Sequence, residues 1–156
     1  MHNVAMFENS TVIILTPKAF KKKDDTITIS NNDIKGKSGM VLMYADWCGH
    51  CHNISGDWDV LANTLNKSSD MRISAFNSSK NETHQKCVSD IGIEGFPTIF
   101  YHNKKGDVVA EYNGPRDPKS LLQFAVEQQQ KETPKKGPKK GPKKGPKKGP
   151  KGTKKD

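Results

Sequence analysis

Apolar and polar positions change period several times along the first 130 residues, and each change marks an element. Residues 11–15 are β-branched and apolar and read as a buried strand. Pro17 opens a short helical turn through Phe20, residues 21–25 form a charged connector, and 26–29 alternate like a short strand. Turn formers and two glycines fill 31–39. The run Met-Val-Leu-Met-Tyr-Ala at 40–45 is almost wholly apolar, as expected of a central strand covered on both faces. A helix from Cys48 to about Asn66 then puts Cys51, Ile54, Trp58, Leu61, Ala62 and Leu65 on one face at spacings of three and four. Residues 71–76 read as the next strand, and 82–90 as a helix bounded by Gly92. Residues 98–101 and 108–112 read as a hairpin turning at 103–107. Asp117 before Pro118 is an N-cap followed by proline at the first helical position, with Leu121, Leu122, Phe124, Ala125 and Val126 as the apolar face. The order β-α-β-α-β-α-β-β-α predicts an α/β domain, a mixed sheet flanked by helices.

From Pro134 the pattern is lost. Pro-Lys-Lys-Gly repeats four times and the chain ends on further lysines. Residues 131–156 hold 12 lysines against Glu132 and Asp156, a balance of +10 that leaves −1 for the first 130 residues out of the net +9. Proline every four residues forbids a helix, the period is not collagen's three, and like charges repel. A disordered, extended basic tail is expected. It acts either as a solubilising extension or as a sequence-independent, salt-sensitive anchor to nucleic acid or another polyanion, since it has lysines for phosphates and no aromatic side chain for bases.

Three cysteines make no disulfide framework. The first 20 residues lack a basic n-region and hold only the short apolar run Val12-Ile13-Ile14-Leu15, too short for a signal core or a membrane span, so no membrane contact is expected. The chemistry lies in Trp47-Cys48-Gly49-His50-Cys51, where a strand runs into a helix. Unpaired N–H groups at a helix start stabilise a thiolate on the first cysteine. The second lies about one turn on, near enough to close a small disulfide ring.

Read with Gly95-Phe96-Pro97-Thr98 and with Tyr112-Asn113-Gly114-Pro115-Arg116, this stretch resembles the thioredoxin superfamily, and the Cys-Gly-His-Cys spelling resembles the catalytic domains of protein disulfide isomerases. The resemblance implies a thioredoxin fold over residues 11–130, preceded by an N-terminal extension at 1–10 and followed by the tail at 131–156. It implies that Cys48 is the nucleophile, Cys51 the resolving cysteine, and His50 a group that stabilises the Cys48 thiolate. Pro97 would follow a cis peptide facing the pair. Trp47, Gly49, Phe96 and Pro97 would contact substrate, and Arg116 would lower the pKa of Cys51. Neither a metal nor an organic cofactor is implied, because the cysteines carry the electrons. The partners would be proteins or peptides bearing thiols or disulfides.

Four positions depart from the family pattern. Leu42 stands where a buried acid is usual, and Ala75 where that acid's lysine partner is usual; losing both avoids a stranded buried charge. Gly56 replaces a helix-kinking proline, and His52 a lysine. The competing chemistry is a Cys₃His zinc set of Cys48, Cys51, His84 and Cys87. In the expected fold His84 and Cys87 lie on a helix with no reason to face the motif. Cys87 is therefore read as a structural thiol, His84 and His102 as surface or hairpin residues, Trp58 as core, and Tyr44 as packing near the site.

The function expected is a thiol–disulfide oxidoreductase of disulfide isomerase type. The alternative is a tail-tethered peptide- or polyanion-binding module with incidental redox activity. Five Asn-x-Ser/Thr sequons occur, at Asn9, Asn53, Asn66, Asn77 and Asn81, and a glycan on Asn53 would block the motif. With no entry or retention signal in view, a cytoplasmic or virion-packaged protein is expected rather than one of the endoplasmic reticulum lumen.

Overall fold

The computed structural model describes residues 6–7, 9–67 and 70–132. Of the tail expected at 131–156, residues 131 and 132 belong instead to the last helix, and 133–156 with the Pro-Lys-Lys-Gly repeat lie outside the described residues, as do residues 1–5 and 8 of the N-terminal extension.

The elements are β1 (Ile13–Ile14), a single 3₁₀ turn (Pro17–Ala19), β2 (Phe20–Lys23), β3 (Thr26–Ile29), β4 (Ser38–Tyr44), α1 (Gly49–Leu65), β5 (Met71–Asn77), α2 (Glu82–Ile91), β6 (Thr98–His102), β7 (Val108–Tyr112) and α3 (Pro118–Glu132). Five strands form one sheet in the order β1-β5-β4-β6-β7. β1 and β4 run parallel to β5, while β6 runs antiparallel to both β4 and β7. The sheet is thus mixed, as the element order implied. β2 and β3 make a separate antiparallel hairpin, tied to the β6–β7 turn by Ile29 N donating to Gly106 O at 2.7 Å.

β4 is buried along its whole length, which explains its unbroken apolar run. Met40, Leu42 and Tyr44 face a core shared with α1, and Val41 and Met43 face a second core with Phe20, Phe76, Val88 and Phe100. α1 buries the six residues its helical period singled out. Its Trp58 is fully buried and donates from Nε1 to Ser74 O at 2.9 Å, which satisfies the indole N–H inside the core. Phe7, within the N-terminal extension, packs edge-on against Tyr44 with ring centroids 5.4 Å apart.

Several expectations need correction. Residues 21–23 are a strand, not a connector: three lysines can lie in β2 because its outward side chains are all exposed while Phe20 anchors it in the core. The first strand is only two residues long and not buried, Ile14 being 50% exposed at the edge of the sheet. On α3, Leu121 and Ala125 are buried but Val126 is 38% exposed. His102 lies in the β6–β7 hairpin as expected, but it and His84 are buried rather than at the surface. His84 stacks on Phe76 at 4.8 Å and its Nδ1 lies 2.7 Å from Asn77 O, so the ring's polar edge is satisfied while its face packs like an aromatic.

Two compact units divide the chain, Met1–Ala125 and Val126–Asp156; of the second, only the residues of α3 up to 132 are described. Among the described residues no helix is long and apolar enough to cross a membrane.

Gly56 sits exposed inside α1, and a Cβ there would meet nothing within 4 Å. Glycine in a helix interior costs about 0.8–1.0 kcal/mol relative to alanine. Gly56→Ala should therefore stabilise the domain by about 0.5–1 kcal/mol, read as a higher midpoint of urea unfolding at an unchanged slope. A lower midpoint would mean that glycine is needed for the helix's path.

Candidate functional site

The site forms where β4 ends and α1 begins. Cys48 is the N-cap of α1: its backbone is extended (φ −88°, ψ 111°) and its Sγ accepts from Cys51 N at 3.1 Å. A sulfur held at this position lies on the unpaired N–H groups of the first turn, where negative charge is stabilised. Cys48 and Cys51 are joined as a disulfide, with Cα atoms 5.2 Å apart. Cys51 is fully buried and Cys48 nearly so. Gly49 and His50, between them, are exposed.

A second wall comes from the loop after α2, which meets the motif through the contact of Phe96 with Trp47. Gly92 caps α2 in the left-handed conformation (φ 85°), which glycine adopts without a Cβ penalty. The loop then runs to a cis Phe96–Pro97 bond, and Thr98 Oγ1 donates to Gly95 O at 2.7 Å. Trp47 is 73% exposed and packs edge-on against Phe96, ring centroids 5.7 Å apart, so the indole stands beside the disulfide with most of its surface open. Arg116 is exposed on the loop between β7 and α3, where the Tyr112 hydroxyl donates to Pro115 O. Asp117 Oδ1 accepts from Ser120 N at 2.8 Å and its Oδ2 from Ser120 Oγ, which caps α3 as expected and holds the carboxyl below its ordinary pKa.

Sequence reasoning missed a polar cluster that pins the turn. The parallel register of β4 and β5 pairs Tyr44 with Asn77 and so brings the end of β5 beside Asp46. Asp46 N donates to Ser79 Oγ at 2.8 Å, and Asn77 Nδ2 donates to both carboxylate oxygens at 3.2 Å. His52 Nε2 lies 2.8 Å from Asp46 O, reaching back from the first turn of α1. Burial, with the Asp46 charge nearby, pushes Tyr44 up to about 12, so it stays a neutral phenol. The local signal was a polar run, Asn77-Ser78-Ser79, directly after an apolar strand; only the register gives it meaning.

The Cys₃His set is not assembled. His84 is engaged with Phe76 and Asn77, and the half-buried Cys87 Sγ lies 4.0 Å from Pro17 O, its thiol pushed up by burial and by Asp90. Among the described residues no three His, Cys, Asp or Glu side chains gather to hold a metal. Leu42 and Ala75 are direct cross-strand neighbours, both fully buried, so the site of the usual ion pair is filled by aliphatic packing.

The thioredoxin family model matches residues 12–127. The chain belongs to the thioredoxin family. Protein disulfide-isomerase like 2-2 of Arabidopsis thaliana is 33% identical over 128 residues, 81% of this chain and 25% of that protein. Protein disulfide-isomerase tigA of Aspergillus niger is 34% identical over 119 residues, 76% of this chain and 30% of that protein. This thioredoxin domain thus spans a quarter to under a third of their length. The Trx4 domain of ERdj5 has the same fold, with a TM-score of 0.57 at 20% identity, covering 76% of this chain and 96% of that domain.

Proposed function

We propose that this chain is a thiol–disulfide oxidoreductase of the disulfide isomerase type, acting on protein disulfides through Cys48 and Cys51. One observation carries the reading: the Cys48 sulfur sits at the N-cap of α1, bonded to a buried Cys51, beside the exposed Trp47 and the Phe96–Pro97 wall. In the reduced state the Cys48 thiolate attacks one sulfur of a substrate disulfide. That bond breaks, a Cys48–substrate disulfide forms, and the leaving thiolate takes up a proton from water. The Cys51 thiolate then attacks the Cys48 sulfur, closes the Cys48–Cys51 disulfide and releases the second substrate thiol. Two electrons pass to the substrate; run in reverse, the same steps oxidise it. The helix terminus stabilises the Cys48 thiolate, His50 adds to that when protonated, Arg116 lowers the pKa of Cys51 on approach, and Trp47, Gly49, Phe96 and Pro97 hold the substrate chain. The cysteines carry the electrons, so no organic cofactor takes part.

The reduction potential of the pair, from equilibration in glutathione buffers with thiol trapping, tests this. A value near that of protein disulfide isomerase, about −180 mV, is expected; one near thioredoxin, about −270 mV, would assign a reductase instead. Cys48→Ser should abolish exchange with protein disulfides, and a variant that keeps its function would make the fold a binding module.

A further inference from the structure

A cavity of about 580 Å³ opens beside the catalytic wall and shares Phe96 and Pro97 with it. Ile27 and Phe100 supply apolar lining. Among the described residues, the charged side chains that line it are Glu94 and Glu111. Phe100 and Glu111 are direct cross-strand partners on β6 and β7 and so share one face of the sheet. Both glutamates are exposed, and among the described residues neither is in an ion pair. Lys22 Nζ lies 3.4 Å from where a Cβ on Gly92 would be, at the margin of the cavity.

We propose that this cavity is a subsite for a lysine or arginine of the substrate polypeptide, close to its reactive cysteine. The inference rests on the oxidoreductase reading and names its substrate class. A chain whose disulfide meets Cys48 passes Phe96 and Pro97, and its next side chains reach the cavity. A long basic side chain fits both surfaces there. Its methylene stem covers the isoleucine and phenylalanine lining, and its head reaches the two carboxylates at the rim. An acidic side chain would meet the two glutamates unpaired, and Lys22 alone does not offset them. A purely aliphatic side chain would leave both carboxylates beside a filled, drier cavity, which disfavours it.

The test uses two peptide disulfides that differ only in the residues flanking the cysteine, arginine in one and glutamate in the other. The full chain, with its dithiol reduced, is mixed with each peptide in excess, and the second-order rate constant of the single reduction is read for the wild type and for Glu94→Gln/Glu111→Gln. Exposed ion pairs are individually weak, so the arginine peptide should lose about three- to tenfold in the double variant. The glutamate peptide should hold its rate or gain, and added salt should erase the difference. Comparing variant with wild type for each peptide cancels the attraction of the basic tail for acidic peptide. If both peptides change alike, or neither changes, the subsite is overturned. Reduction of 2-hydroxyethyl disulfide, small and neutral, by wild type against Cys48→Ser reports separately on the redox reading. If that too is absent, the oxidoreductase reading and the subsite both fall.

Discussion

Gly39→Ala should cost this domain a large share of its stability. Gly39 lies in β4, paired with Arg72 of β5. A Cβ there would fall 1.9 Å from Arg72 O and within 3 Å of the same residue's C and N. These are backbone atoms, so no rotamer relieves the clash; the two strands must part. β4 and β5 are the centre of the sheet, and β5 carries Ala75 and Phe76, one in each core. Overpacking in a rigid interior costs typically about 1–3 kcal/mol and occasionally more, and a backbone-on-backbone contact belongs at the upper end. Against a total of about 5–15 kcal/mol for an ordinary domain, that loss would be plain in the midpoint of chemical unfolding. A shift worth under about 0.5 kcal/mol, the scale of a neutral surface change, would mean that β4 and β5 separate far more readily than their burial implies. The sequence marks Gly39 only as one of two glycines in a turn-like stretch; the strand pairing makes it irreplaceable.

That contrast runs through the whole domain. Periodicity reports which side of an element meets apolar neighbours. It worked where one side is covered, as on α1, whose buried residues are those of its helical stripe. It worked for β4, where two cores cover both sides and erase the alternation. It failed for β2, because three exposed lysines look the same in a loop as in an edge hairpin, and only pairing with β3 makes them a strand. It placed His102 in the β6–β7 hairpin but missed that His102 and His84 are buried, since a ring that is both aromatic and polar can be buried once its nitrogen finds a carbonyl, and the sequence does not say whether one is near. The site divides in the same way. Cys48 and Cys51 are neighbours along one helix, so their meeting was legible from spacing. The cluster of Asp46, Asn77, Ser79 and His52 depends on the parallel register of two strands over thirty residues apart, and was not.

Leu42→Glu should do two opposed things: hasten the release of mixed disulfides and weaken the fold. Leu42 lies in the same buried core as Cys51, flanked by Ala75 on β5 and Ile99 on β6. No ionisable side chain stands at these flanking positions to take the proton that Cys51 must lose before it attacks. Resolution of the Cys48–substrate bond is therefore expected to be slow in the native chain. A carboxylate introduced at position 42 supplies an acceptor, and general-base catalysis of this kind is worth about 10²–10⁴-fold when well placed, so a gain of about tenfold or more is expected. The readout is the decay of a trapped mixed disulfide in single-turnover quench experiments.

The cost follows from the same burial. An unpaired buried carboxyl has its pKa raised, and stranding such a charge costs about 3–5 kcal/mol. The sign with pH is fixed. The unfolded carboxyl ionises near 4.3, while the folded one keeps its proton to higher pH; between those values the folded state binds more protons. The variant's stability should therefore be least impaired near pH 4 and fall as pH rises toward neutrality. Adding Ala75→Lys, directly across the strand pair, should restore part of the stability while keeping the faster resolution, a coupling that a double-mutant cycle measures. The double variant decides the matter, since it separates a chemical effect from damage to the fold. If it is stable and yet resolves mixed disulfides no faster than the native chain, the apolar filling at positions 42 and 75 does not limit the chemistry of Cys51, and its proton leaves by another route.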